Sequence, residues 1–151
     1  MIKISSIFDA PADRVWEEAN TSRLLNYVTR GRIAFDPIEP PQFPERWAEG
    51  DYKVAMRGFG TVPLGSQTIG IEFPPPRGDT RILRDNGSGR FFRKWDHWIY
   101  IEPMEDGRTR YTDELDFDAG VLNPIAKPIV REFYQHRQAR WKKLIASDFR
   151  Y

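Results

Sequence analysis

The sequence predicts an α+β domain built on one antiparallel sheet, and three observations carry that prediction. A long amphipathic stretch, Val121 to Phe149, closes the chain. Strand-like alternation dominates Arg32 to Phe117. Two short helical stretches separate the first strand from that region, and nowhere do strands and helices alternate as parallel sheets require. The predicted order is one strand, two short helices, about six strands and one long helix. The chain has 151 residues, which suits a single domain over 1–151 with a real core.

Ile2 to Phe8 sets Ile2, Ile4 and Ser6 against Lys3 and Ser5, the period of a strand. Asp9-Ala10-Pro11 ends it. Pro11 suits a first helical position, and Asp13 suits the positive end of a helix dipole. The short helix Ala12 to Ala19 turns Val15, Trp16 and Ala19 to one side. Asn20-Thr21-Ser22 breaks it and caps a second helix, which buries Leu24, Leu25 and Val28 and stops at Gly31.

Arg32 to Ile38 is the next strand, and the prolines of Glu39 to Pro44 make a loop. Tyr52, Val54 and Met56 then alternate with Lys53, Ala55 and Arg57. Gly58-Phe59-Gly60 and Pro63-Leu64-Gly65 mark a connection to the alternating stretch Gln67 to Phe73. Thr80 to Arg84 is expected to turn through Asp85-Asn86-Gly87-Ser88 into the longest strand, Arg90 to Ile101. A three-residue loop, Glu105-Asp106-Gly107, leads back along Arg108 to Phe117. That loop sets Ile99 opposite Asp113 and Ile101 opposite Tyr111. His97, Tyr111, Asp113, Leu115 and Phe117 then share a face, and a two-residue turn would reverse the parity.

The last helix opens at Asn123-Pro124, like a cap followed by a first-turn proline. Leu122, Ile125, Ala126, Ile129, Val130, Phe133, Trp141, Leu144 and Ile145 form its apolar stripe, with Arg131, Gln135, Gln138 and Lys142 opposite. Its ~25 residues would span roughly 37 Å, enough to cross a small domain. Arg137 breaks the stripe, sitting within ~20° of its centre where a leucine is expected. Pro128 predicts a kink, or a helix body that starts there.

Composition narrows the function. Net charge is +1, which argues against broad capture of nucleic acid. There is no cysteine, hence no disulfide framework, thiolate zinc site or cysteine nucleophile. The N-terminus lacks the pattern of a signal peptide, and no run approaches the ~18 apolar residues of a membrane span, so a cytoplasmic protein without an integral membrane segment is expected. Two histidines on different elements, with no close HxH or HExxH spacing, predict no metal site. With no P-loop or GxGxxG after a strand, no cofactor is expected. Aromatic residues make up 14% of the chain, more large rings than a small core needs, so a lined pocket is worth considering.

The pattern resembles the SRPBCC superfamily, the START-like helix-grip proteins that include lipid-binding domains and polyketide cyclase/dehydrase-type proteins. The matching residues are a first strand ending at Ala10-Pro11 and running into Val15-Trp16-Glu17, the strand pair Trp95-Asp96-His97 and Tyr111-Thr112-Asp113-Glu114-Leu115, and the long helix bearing Phe133-Tyr134-Gln135-His136-Arg137. The resemblance spans essentially the whole chain. It implies a curved antiparallel sheet of seven strands gripping the C-terminal helix, with an apolar cavity between them and a small hydrophobic cargo. It implies no particular activity.

Within that frame His97, Asp113 and Arg137 are the residues for chemistry. A carboxylate beside a histidine orients the ring and raises its pKa, so His97 with Asp113 suits general acid–base work. Arg137 offers a planar fork of donors to a ligand oxyanion. The plainer alternative is a buried Asp113–Arg137 ion pair with His97 as a satisfied neighbour. Trp95, Tyr111 and Tyr52 can give donors to a ligand or simply pack the wall. Met56, Phe59, Ile71, Phe73, Leu115 and Phe133 line a cavity or fill a core. The basic edge Arg131, Arg140, Lys142, Lys143 and Arg150 reads as a solvated face.

Three functions follow as expectations. The first is binding of a small hydrophobic or amphipathic molecule between sheet and helix, its polar end fixed by Arg137, His97 and Asp113. The second is a cyclase-, dehydratase- or hydrolase-like enzyme using the His97–Asp113 pair. The third is a partner-binding module whose interior is filled. A cavity walled by His97 and Arg137 would favour the first two.

Overall fold

A computed structural model describes residues 1–151. The chain begins with strand β1 (Ile2–Phe8) and two short helices, α1 (Ala12–Ala19) and α2 (Ser22–Thr29). Six strands follow: β2 (Ile33–Glu39), β3 (Gly50–Gly58), β4 (Val62–Glu72), β5 (Arg81–Gly89), β6 (Lys94–Pro103) and β7 (Thr109–Asp118). A 3₁₀ turn over Gly120–Leu122 leads into the long helix α3 (Asn123–Ala146). The strands form one antiparallel sheet in the order β1-β7-β6-β5-β4-β3-β2, open and curved, with α3 across its inner face. This is the expected α+β, helix-grip arrangement.

The β6–β7 hairpin has the expected register. Gly107, with φ of 84°, closes the three-residue loop, and Ile99 pairs with Asp113 and Ile101 with Tyr111. Glycine suits that left-handed position because a side chain would be strained there. Along β6 every second side chain is buried: Trp95, His97, Ile99 and Ile101. That period puts all four on the inner face of the sheet, with Trp95 and His97 against Tyr134 of α3.

Two expectations about turns are corrected. Asp85-Asn86-Gly87-Ser88 is not a hairpin turn but the second half of β5, paired with β4 and β6. The glycines there serve close approach. A Cβ on Gly87 would lie 2.3 Å from the Thr68 carbonyl oxygen, and one on Gly70 would lie 2.4 Å from that of Asn86. Side chains at these positions would force β4 and β5 apart. Pro63-Leu64-Gly65 likewise belongs to β4, which starts at Val62. β5 pairs only with the later part of β4, so Pro63 lies where one flank has no ladder to break.

Helix α3 is continuous through Pro128, and its two halves meet different surroundings. The C-terminal half packs Trp141 and Leu144, both fully buried, with Phe8, Val15, Val28 and Tyr111. Phe8 stacks on Tyr111 with ring centres 4.8 Å apart, and Trp141 lies against both. The N-terminal half leaves Ile125 and Ile129 exposed, as is Leu122 just before it, although all three belong to the same sequence stripe. Arg140 departs from the expected solvated edge: it donates to the Tyr27 carbonyl and covers the Tyr27 ring at 4.1 Å. No helix is long and apolar enough to cross a membrane.

Candidate functional site

The interior is not filled. Between the inner face of the sheet and the N-terminal half of α3 lies a cavity of about 630 Å³. Of its 34 lining residues 26 are hydrophobic, so carbon is the natural occupant. Phe59, Val62, Phe91, Leu122, Ile125 and Ile129 are exposed and form its mouth, where two hairpin ends and the start of α3 project past the core. Buried polar side chains gather at the inner end: His97, Arg137 and the hydroxyls of Tyr111 and Tyr134.

His97 is held by a chain of hydrogen bonds that links four elements. Ser6 on β1 donates from Oγ to Gln138 Oε1 at 2.6 Å. Gln138 Nε2 donates to the Ile4 carbonyl at 2.9 Å and to Asp113 Oδ2 at 2.7 Å. The other carboxylate oxygen, Oδ1, lies 2.7 Å from His97 Nε2. With the Gln138 amide oriented by Ser6 and Ile4, Asp113 accepts at both oxygens. His97 therefore carries its proton on Nε2 and donates it to Asp113. Nδ1 is left without a protein partner, as a lone pair on a ring that lines the cavity. Burial pushes the His97 pKa below its ordinary value, against the pull of Asp113, so the ring is neutral at pH 7.

Arg137 lies beside this network and takes no part in it. It is 9% exposed, lines the cavity, and makes neither an ion pair nor a side-chain hydrogen bond. Its Nε is enclosed without an acceptor. The guanidinium packs over the rings of Tyr134 at 5.0 Å and Phe133 at 5.9 Å, each one helical turn back. The expected Asp113–Arg137 pair is therefore corrected: Gln138 and His97 occupy both oxygens of Asp113, leaving none for the arginine.

Asp85 completes the inner end. It pairs with His97 in the β5–β6 register, so the two side chains share the inner face of the sheet. Its Oδ1 accepts the Gly70 backbone N–H at 2.9 Å, in place of a ladder hydrogen bond. Removal from water pushes its pKa up to about 7, against the pull of that N–H and of Arg137. No three or more His, Cys, Asp or Glu side chains converge as metal ligands.

The structure brings most of the sequence-selected residues to one wall. His97, Arg137, Trp95, Tyr111, Met56, Phe59, Ile71 and Phe133 line the cavity, and Asp113 stands directly behind His97. Phe73 and Leu115 do not line it, and both assignments are corrected. Phe73 lies beyond the end of β4 and packs edge-on against Trp16 at 6.2 Å. Leu115 sits under α3 in a small closed cluster with Ile2, Trp95, Val130 and Tyr134. Tyr52 is satisfied by the Ala48 carbonyl at 2.9 Å. Three residues at the site were not candidates from sequence. Asp85 reads as a turn residue, Tyr134 reads only as part of the helix motif, and Gln138 lies on the polar side of the helical wheel yet is 2% exposed.

No protein-family description matches the sequence, and no curated protein matches it in sequence. Solved structures match its fold. Protein Ms6760 from Mycobacterium smegmatis superposes with a TM-score of 0.65 at 17% identity, over 94% of this chain and 88% of that one. A START superfamily protein from the same organism gives 0.64 at 10% identity, over 97% of both chains. Norcoclaurine synthase from Thalictrum flavum, in complex with dopamine and hydroxybenzaldehyde, gives 0.63 at 11% identity, over 97% of this chain and 86% of that one. Seven antiparallel strands curved around a long C-terminal helix, superposing on these proteins over nearly their whole length, give this chain a START-like helix-grip fold.

Proposed function

We propose that the chain binds one small hydrophobic or amphipathic molecule in the cavity between the sheet and α3. The observation that carries this reading is the polarity gradient of the cavity: an apolar, exposed mouth and a buried polar inner end. Ligand carbon would supply most of the affinity, at ~25 cal/mol per Å² removed from water before the costs of association. His97 Nδ1 and Arg137 would fix the polar end, with Asp113 holding His97. The START superfamily protein and norcoclaurine synthase, the latter solved with two small aromatic molecules, lend support by likeness of fold. Native mass spectrometry of the protein purified from its source tests the proposal. A co-purifying small molecule of constant mass is expected. A bare protein that also fails to retain any added hydrophobic compound overturns it.

One observation favours a second reading, an enzyme. The neutral His97 has its lone pair toward the cavity and a carboxylate at its back, the arrangement of a general base. In that reading the bound molecule is altered by the wild-type protein and recovered unchanged from His97→Gln. Recovery of the same molecule from both proteins excludes it.

A further inference from the structure

The proposed binding reading leaves open what kind of polar end the ligand carries, and Arg137 bears on that. Taken in turn, every other charged group on the cavity wall is occupied or poorly ionised. Arg32 and Glu132, near the mouth, bond each other, with the shortest contact at 2.7 Å. Asp113 is behind the wall and spends both oxygens on His97 and Gln138. His97 is neutral at pH 7. Asp85 is bound to the Gly70 N–H, and its withdrawal from water holds part of its population in the uncharged form. Arg137 alone carries a full charge with no hydrogen-bonding partner, on the wall of an apolar cavity.

A guanidinium does not lose its proton in such a place, so burial cannot neutralise it as it would a lysine. Withdrawal from water without an acceptor is costly, and chains ordinarily answer it with a carboxylate. Here the adjacent carboxylate is claimed by Gln138, the next residue on the helix. The stacking on Tyr134 and Phe133 holds the guanidinium plane but accepts none of its hydrogen bonds.

Resting on the binding reading, we propose that Arg137 is the seat of a monoanionic oxyanion head group, a carboxylate in the simplest case. The ligand is then an apolar acid. Its head lies on Arg137 at the inner end, and its hydrocarbon or aromatic body runs toward Ile125, Ile129 and Phe59 at the mouth. A single guanidinium matches a single charge, and its fork fits two carboxylate oxygens.

The test compares acids with alcohols of the same carbon skeleton by isothermal titration calorimetry: decanoate against decanol, and naphthoate against naphthylmethanol. The aliphatic and aromatic pairs distinguish the two sources of such an acid. In the wild-type protein at least one acid is expected to bind about ten- to a hundredfold more tightly than its alcohol, the range of a charge-assisted hydrogen bond. Arg137→Gln is expected to remove that ratio, by weakening the acid far more than the alcohol. Equal affinity of acid and alcohol in both pairs overturns the assignment of the anion and leaves the binding reading standing. A preference for acid that survives in Arg137→Gln also overturns it. Failure of all four compounds to bind counts against the binding reading itself. Should Arg137→Gln not fold, the acid-to-alcohol ratio in the wild-type protein decides alone.

Discussion

Arg137 and Gln138 are neighbours on one turn of α3, both buried and both polar, yet their surroundings are opposite. Gln138 is saturated: it accepts from Ser6 and donates to Ile4 and Asp113, tying α3 to β1 and β7. Arg137 has no polar partner and faces the cavity. The contrast extends along the helix. Beyond Gln138, Trp141 and Leu144 are fully buried in the main core. Before Arg137, Phe133, Ile129 and Ile125 form a wall with empty space beside it. One half of α3 holds the fold together, and the other is free to hold something else.

Substitutions should break this contrast unequally. The largest effect is expected at the filled end: Trp141→Ala should lower stability by about 3–5 kcal/mol, because the ring is packed on all sides and its space cannot collapse. Urea unfolding measures this, and a loss below about 1 kcal/mol would show that the filled half is not the stabilising one. The sharper comparison is the adjacent pair. Gln138→Leu should cost about 2 kcal/mol, since it leaves Asp113, Ser6 and the Ile4 carbonyl without their partner. Arg137→Met should change stability by less than about 1 kcal/mol, because it breaks no hydrogen bond and removes a buried charge. Equal losses from the two would contradict the assignment of structural and ligand-facing roles.

The smallest effect is a pH dependence. Asp85 has a pKa of about 7 in the folded chain, against 3.8 as its ordinary value. Between those values the folded state holds a proton that the unfolded chain has released. This part of the stability is present at low pH and is lost as pH rises through 7, amounting to about 1 kcal/mol between pH 6 and pH 8. His97 acts in the opposite sense: its lowered pKa costs stability as pH falls below 6.5, where the unfolded chain takes up the proton first. Asp85→Asn should therefore flatten the fall in stability between pH 6 and pH 8, as read from urea midpoints across pH. An unchanged slope between pH 6 and pH 8 would place the responsible group elsewhere.

Much of the architecture was legible from periodicity. Alternation along β6 and the three-residue loop expected before β7 set Ile99 against Asp113, where a two-residue turn would have reversed the faces. The turn residues were less reliable guides. Gly87 looks like a chain reversal in sequence, but it sits in a strand where two backbones come close. Glycine marks both situations, and only the neighbouring strand distinguishes them. The helical wheel failed at Gln138 for a similar reason. It separates apolar from polar residues, and a polar side chain whose every bond is met inside the protein violates that separation at no cost.

The sequence by itself determined the α+β class, the order of elements, the β6–β7 register and the presence of a charged residue in the apolar stripe of the last helix. These follow from local periods and turn lengths, which the chain carries with it. Tertiary structure decided who partners whom. Ser6, Gln138, Asp113 and His97 come from four places in the chain, and only their convergence sets the histidine's tautomer and uses up the carboxylate that Arg137 would otherwise have taken. Hydrogen-bond partners and empty space are properties of three-dimensional neighbours, so neither the free guanidinium nor the cavity beside it is written in any local pattern.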